Sequence, residues 1–266
     1  MKEAAFLGTG NMGGALARAA CRSIGPDQVI LSNRTRAKAE ALAGELGCTA
    51  ARDNREAAQS ARYLFLGVKP HLMRGLLEEI APVLSPGQVL VSMAAGLTLE
   101  TLAGWVPDGT AVLRIMPNTP CAIGKGLVAL CAAPGPAEEH GPAVEKILCA
   151  AGRVERVEER LFDAFSAVAG CSPAFIYLFL EALADGGVLA GLPRKQAVAF
   201  AAQAMAGSAA LVLESGEHPG ALKDAVCSPG GSTIEGVAAL ERHGFRGAVI
   251  DAVEAAWSKS ASLGKQ

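Results

Sequence analysis

Near the start of the chain, Gly8-Thr9-Gly10-Asn11-Met12-Gly13 has the residue types and spacing of a turn that cradles a pyrophosphate. The first glycine permits a tight turn, the second lets the backbone approach the phosphates, and the third lets a helix pack closely on a strand. The apolar run AAFLG precedes the turn, and a helical pattern reaching about Ile24 follows it. Free N–H groups and partial positive charge at the start of that helix would hold a diphosphate without a cationic side chain. Gly8 and Gly10 are therefore candidate cofactor-binding residues.

The tip of the next strand-like run, VILSN, selects between dinucleotides. An acidic residue there would accept hydrogen bonds from a ribose hydroxyl and repel a phosphate. This chain instead has Asn33 and Arg34, with Arg36 and Lys38 close behind. A guanidinium fork suits a 2′-phosphate, so NADPH is the expected cofactor and NADH the weaker alternative. Ligands in open α/β sheets lie beyond the carboxyl ends of the strands. On that ground three later strand ends qualify: Val68-Lys69-Pro70, Ala94-Ala95-Gly96 and Met116-Pro117-Asn118-Thr119-Pro120. Taken singly, each reads equally well as ordinary turn chemistry.

A second constellation stands far along the chain, Ser228-Pro229-Gly230-Gly231-Ser232-Thr233. Proline and two glycines make a turn whose free N–H groups face the start of the next helix, a seat for a carboxylate. The competing reading is a plain helix cap by Ser232 or Thr233. Other reactive residue types lack company. His71 beside a loop proline and the adjacent Lys223-Asp224 pair read as surface groups. Cys171 and Cys227 read as small packing residues, since no charge cluster stands by to stabilise a thiolate. His140, His218 and His243 are isolated, so no metal site is expected.

Elements of two kinds must carry these groups. From Ala4 to about Val157, AAFLG, VILSN, YLFLGV, VLVSM, AVLRIM and GLVALC alternate with helical patterns. Such alternation predicts an α/β domain over residues 1–157, a Rossmann-type, parallel, doubly wound sheet. After Glu158 strand patterns cease, and apolar residues recur at helical spacing over 161–169, 174–190, 196–213, 220–226 and 245–260. Residues 158–266 are expected to form an all-helical dimerisation domain. Its long helices are apolar on more than one face and lack a charged outer stripe, which predicts a homodimer or larger assembly built through them. The Ala-rich stretch Ala197–Leu213 carries Gln203 and Ser208, and reads as a buried interface helix rather than a membrane span.

With 266 residues, 51% of them apolar, the chain can bury a substantial core. The formal net charge is -2 and no basic run with interleaved aromatics occurs, which argues against nucleic acid as a partner. Seven scattered cysteines without a CxxC pair fit free thiols in a reducing cytoplasm, and no export signal is expected.

VKP, SMAAG, RIMPNTP with its following GKG, and EHPGALKDAVCSPGGSTIEGVAALERHGFRGAVIDAV stand in the order found in the pyrroline-5-carboxylate reductase family, which this chain resembles along its whole length. KDAVCSPGGST, from Lys223 to Thr233, is the most specific of these segments. The resemblance implies a Rossmann domain carrying NADPH, a small cyclic imino acid as substrate, and a helical domain forming intertwined dimers, often assembled further into rings such as decamers. It implies cofactor contacts at Gly8, Gly10, Asn11, Met12, Asn33, Arg34, Asn54, Lys69, Pro70, Ala95 and Gly96. It further implies that the loop from Ser228 to Thr233 holds the substrate carboxylate and ring nitrogen, which makes Ser228, Gly230, Gly231, Ser232 and Thr233 candidate substrate-binding residues. Since a hydride acceptor of this kind needs chiefly to be oriented, Thr233 Oγ on the ring nitrogen is the expected catalytic group. Ala169-Gly170-Cys171-Ser172-Pro173-Ala174-Phe175 departs from the family pattern at Cys171, Ser172 and Phe175, where serine, glycine and tyrosine are usual. A hydroxyacid dehydrogenase on the same layout would need a general acid, for which Lys195 and Lys223 are the obvious candidates, and it gives the SPGGST loop no role.

Overall fold

Eight strands form one sheet in a computed structural model that describes residues 1–133 and 135–263. They are β1 (Lys2–Leu7), β2 (Val29–Ser32), β3 (Thr49–Ala50), β4 (Ala61–Leu66), β5 (Val89–Ser92), β6 (Ala111–Pro117), β7 (Gly126–Ala132) and β8 (Gly152–Arg156). Their spatial order is β3-β2-β1-β4-β5-β6-β7-β8. Six helices interleave with them: α1 (Asn11–Ile24), α2 (Arg36–Leu46), α3 (Asn54–Ser60), α4 (Pro70–Ile80), α5 (Leu99–Ala103) and α6 (Gly141–Leu148). The central strands are near-continuous apolar runs because helices cover both faces of the sheet. Ala4 and Phe6 belong to one core layer with Leu16 of α1 and Val144 of α6. Ala5 and Leu7 belong to the other, with Met73 and Leu77 of α4. Between β1 and β4 the strand order reverses, and such a switch point opens the crevice in which dinucleotides bind.

One pair departs from the expected parallel sheet. β6 and β7 are antiparallel, with Leu113 opposite Ala132 and Pro117 opposite Val128. Only residues 118–125 join them, fewer than a parallel crossover needs, so β7 runs back along β6. β3 and β8 have no counterpart among the expected strands. β3 has two residues, and β8 reads Gly-Arg-Val-Glu-Arg, an edge strand that pairs with β7 through its backbone and offers no apolar run.

β6 also carries a buried cation. Arg114 is 5% exposed, its Nη1 donates to Glu159 Oε1 at 2.5 Å, and its guanidinium lies 4.8 Å from the centre of the Phe162 ring. The same carboxylate oxygen accepts the Leu99 N–H at 2.6 Å, tying the start of α5 to β6. Removing the carboxylate would strand a charge in the interior. Glu159→Ala is therefore expected to lower the unfolding free energy by about 2 kcal/mol in urea titrations at fixed protein concentration. The exposed Arg18–Glu45 pair supplies the contrast, and Glu45→Gln should cost far less than Glu159→Ala. Equal effects of the two substitutions would contradict this account.

After β8 come α7 (Phe162–Phe165), a π-helical turn at Ser166–Cys171, and α8 (Ser172–Leu189), α9 (Arg194–Ser215), α10 (Pro219–Ala225), α11 (Ser232–Arg242) and α12 (Phe245–Leu263). By compactness the chain divides into Met1–Cys171 with the residues from Ala256 on, and Ser172–Ala255. The expected helical domain reaches residue 266, and its last three residues lie outside the described residues. Within Ser172–Ala255, Tyr177, Leu178, Leu189, Phe200 and Leu213 are between 58% and 91% exposed in the single chain. By length and composition Glu159–Leu189 and Arg194–Ser215 would suffice to cross a bilayer, with mean hydropathy 1.6 and 1.5. An apolar surface of this extent on a single chain also suits a second protein surface packed against it.

Candidate active site

Three glycines in mutual contact build the turn between β1 and α1. Gly8 has φ +99°, and a Cβ there would lie 2.6 Å from the Gly67 carbonyl oxygen. A Cβ on Gly13 or on Gly67 would overlap the Gly8 carbonyl oxygen. The Gly8 N–H donates to Ser32 O and the Gly67 N–H to Leu7 O, each at 2.8 Å, so the tips of β1, β2 and β4 are joined into one edge. Around Gly10, in contrast, a Cβ would meet nothing within 4 Å among the described residues beyond its chain neighbours, and α1 begins after it with no side-chain cap. Open approach and unclaimed helix N–H groups are what a diphosphate requires, so these residues fit a dinucleotide. The sequence reading did not single out Gly67. The available signal was a glycine closing the apolar run YLFLG.

The neighbouring strand tips are parallel, so the other candidates stand along the same edge. Asn33 Nδ2 donates to Thr9 Oγ1 at 2.9 Å and its Oδ1 accepts the Thr35 N–H at 2.9 Å, which fixes the end of β2 to the glycine turn. Arg34 follows, exposed and, among the described residues, without an ion-pair partner. Arg36 is engaged by Glu40 at 2.7 Å. Asn54 opens α3 with its amide committed inside the protein: Oδ1 accepts from Ser32 Oγ at 2.8 Å and Nδ2 donates to Glu79 Oε2 at 2.9 Å. Lys69 and Pro70 begin α4, while Ala95 and Gly96 follow β5. Asn11 is exposed and Met12 half-buried at the start of α1.

The second constellation lies within Ser172–Ala255. Gly230 has φ +67°, and the Gly231 N–H donates to Ser228 O at 3.0 Å, closing a turn that leads into α11. Gly231 occupies the cap position, and no side chain caps the helix; the cap by Ser232 or Thr233 that competed for this segment is absent. Ser228, Gly230, Ser232 and Thr233 are exposed in the single chain. Asp224, hydrogen-bonded to the Lys223 ammonium, raises the Lys223 pKa, so this lysine stays charged and is poorly suited to donate a proton near neutrality. All seven cysteines are free thiols, and burial pushes the Cys121 and Cys131 thiols up, away from reactive thiolates. Among the described residues no group of three His, Cys, Asp or Glu side chains is placed to hold a metal ion.

Residues 159–263 match the family model for pyrroline-5-carboxylate reductase dimerisation, and residues 3–96 match the model for NADP oxidoreductase, coenzyme F420-dependent. The pyrroline-5-carboxylate reductase of Escherichia coli (strain K12) is 42% identical over 266 residues, covering 99% of each chain. The chain belongs to the pyrroline-5-carboxylate reductase family.

Its fold follows that family throughout. The pyrroline-5-carboxylate reductase structure from Coxiella burnetii superimposes with a TM-score of 0.92 at 29% identity, covering 100% of this chain and 99% of that one. The Plasmodium falciparum pyrroline carboxylate reductase, solved with NADP bound, gives 0.88 at 30% identity over 99% and 98% of the two chains. The dimerisation match spans α8 to α12, the helices with large apolar residues exposed in one chain. This pyrroline-5-carboxylate reductase family member therefore oligomerises through its C-terminal region.

Proposed function

We propose that this chain reduces the C=N bond of 1-pyrroline-5-carboxylate to give L-proline, the last step of proline biosynthesis, with NADPH as the hydride donor. The observation that carries this reading is the uncapped start of α11 behind Gly230 and Gly231, in the segment most specific to the family. Free amides there suit the carboxylate that an imino acid brings. Gly8, Gly10, Asn11 and Met12 take the pyrophosphate of the cofactor, and Asn33 and Arg34 take its 2′-phosphate. Asn54, Lys69, Pro70, Ala95 and Gly96 line the rest of that edge. Ser228, Gly230, Gly231, Ser232 and Thr233 hold the substrate, and Thr233 Oγ hydrogen-bonds the ring nitrogen.

A protonated cyclic imine is already electrophilic at carbon, so the protein has chiefly to orient it. When bound, NADPH supplies the hydride. A threonine hydroxyl titrates far from neutral pH, so Thr233 orients the ring rather than protonating it. In this reading residues 1–157 form the cofactor domain and residues 158–266 the substrate-binding and dimerisation domain. The assembly is a homodimer through the C-terminal helices that can build further into a decamer, and it works in the cytoplasm without membrane or nucleic acid.

The deciding experiment is NADPH oxidation by the purified protein with pyrroline-5-carboxylate, repeated with NADH. Turnover that prefers NADPH supports the reading, and tight NADPH binding without turnover overturns it. Arg34→Ala should raise the KM for NADPH about tenfold, the loss of one charge-assisted contact, and leave the KM for NADH nearly unchanged. Parallel losses with both cofactors would remove Arg34 from the 2′-phosphate.

A further inference from the structure

We propose that Asn118 is a positioning residue for the imine: through the Ala169 carbonyl it fixes the turn Ser166–Cys171 against the carboxyl end of β6. The need for it arises at Pro173. In an α-helix the N–H of residue 173 would serve the carbonyl of Ala169, but proline has no N–H. At that point the chain widens into a π-helical turn, a feature that often marks functional sites. Without a Pro173 N–H, the Ala169 carbonyl takes a donor from another element, Asn118 Nδ2 at 3.0 Å.

The other amide atom is equally committed, since Asn118 Oδ1 accepts the Leu127 N–H at 2.9 Å as β7 begins, with the Cys121 thiol, which burial keeps protonated, as a weak second donor at 3.9 Å. Donor on one side and acceptor on the other leave a single orientation of the amide. A neutral asparagine meets both demands, whereas an aspartate carboxylate of the same shape meets only the second. The position of the clamp ties it to the chemistry. β6 is parallel to β5, β4 and β1, so Asn118 stands on the cofactor edge. With Arg34 at the tip of β2 suited to the adenosine end, the tips of β4 to β6, across the switch point, would hold the nicotinamide end. The turn that Asn118 holds is thus on the half of the edge that would face the nicotinamide.

The proposal rests on the reductase reading above, and its test separates the two. In the assembled full-length protein, Asn118→Asp is expected to lower kcat/KM for pyrroline-5-carboxylate about tenfold at pH 8 with the NADPH dissociation constant unchanged. On acidification the introduced carboxyl takes up a proton, regains a donor toward Ala169, and the deficit relative to the unmodified protein shrinks. Asn118→Ala, with neither donor nor acceptor, should show a deficit that does not change with pH. Amide exchange across residues 166–175 should be faster in Asn118→Asp at neutral pH and return toward the unmodified rate in acid. A deficit independent of pH in Asn118→Asp, or one residing in NADPH affinity, overturns the proposal. Should the unmodified protein fail to turn over the imine, the reductase reading fails, and unchanged exchange in Asn118→Asp would then sink the clamp on its own.

Discussion

Replacing Gly13 by alanine is expected to raise the NADPH dissociation constant by about two decades and to lower the melting temperature, while the chain still folds. The added Cβ would overlap the carbonyl oxygen of Gly8, a backbone atom that no side-chain rotation can move aside. Relief has to come from displacing α1 or the turn. Overpacking of this kind costs about 1–3 kcal/mol, and each 1.4 kcal/mol that falls on the binding geometry is a factor of ten in affinity. Gly8 is itself held against Gly67 and hydrogen-bonded to Ser32, so the turn has little freedom to yield. Gly10→Ala is the informative partner. Among the described residues nothing beyond its chain neighbours lies within 4 Å of a Cβ at Gly10, so the melting temperature should hold while affinity falls, because the methyl would occupy the space through which phosphates approach. Calorimetric titration with NADPH and thermal melts of both variants distinguish the effects. Unchanged NADPH affinity in both would remove this turn from the cofactor site.

How much of this was legible in the residues depended on whether the signal was local. Apolar runs such as YLFLG and VLVSM announced strands buried on both faces, and Ala5 and Leu7 alternate with Ala4 and Phe6 between two core layers as a covered sheet demands. β8 gave no such signal, because an edge strand reading Gly-Arg-Val-Glu-Arg is placed by its neighbour's backbone and not by its own side chains. The direction of β7 was encoded in a length, the eight residues 118–125, rather than in any residue type. α8 and α9 were readable as helices needing partners, since they lack the polar stripe that water requires. At the candidate site, residue types suggested the ligands and spacing suggested the turn. Contacts between distant segments stayed hidden: Gly67 against Gly8, Asn54 between Ser32 and Glu79, and Asn118 reaching Ala169. Each is set by the fold as a whole, and no pattern of neighbouring residues announces it.

Thr233→Ala should lower kcat/KM for pyrroline-5-carboxylate by about one to two decades, the worth of one oriented hydrogen bond of roughly 1.5 to 3 kcal/mol. A capping role would have offered a different explanation of any loss, because removing a helix cap costs stability. The structure removes that ambiguity: Gly231 stands at the cap position of α11, and no side chain caps the helix. The melting temperature of the variant should therefore stay close to that of the unmodified protein. Thr233→Ser keeps the hydroxyl and should recover most of the rate, which a purely steric role of the threonine methyl would not allow. NADPH affinity should be unchanged in both variants, because in the proposed site the Thr233 hydroxyl would contact the imine rather than the cofactor. The loss should also be nearly constant across neutral pH, since a hydroxyl that orients the ring without giving up its proton adds no ionisation to the profile. Steady-state kinetics with both variants decides the matter. An unimpaired rate in Thr233→Ala would take Thr233 out of the catalytic site, and a loss that appeared only as a lowered melting temperature would return it to the helix.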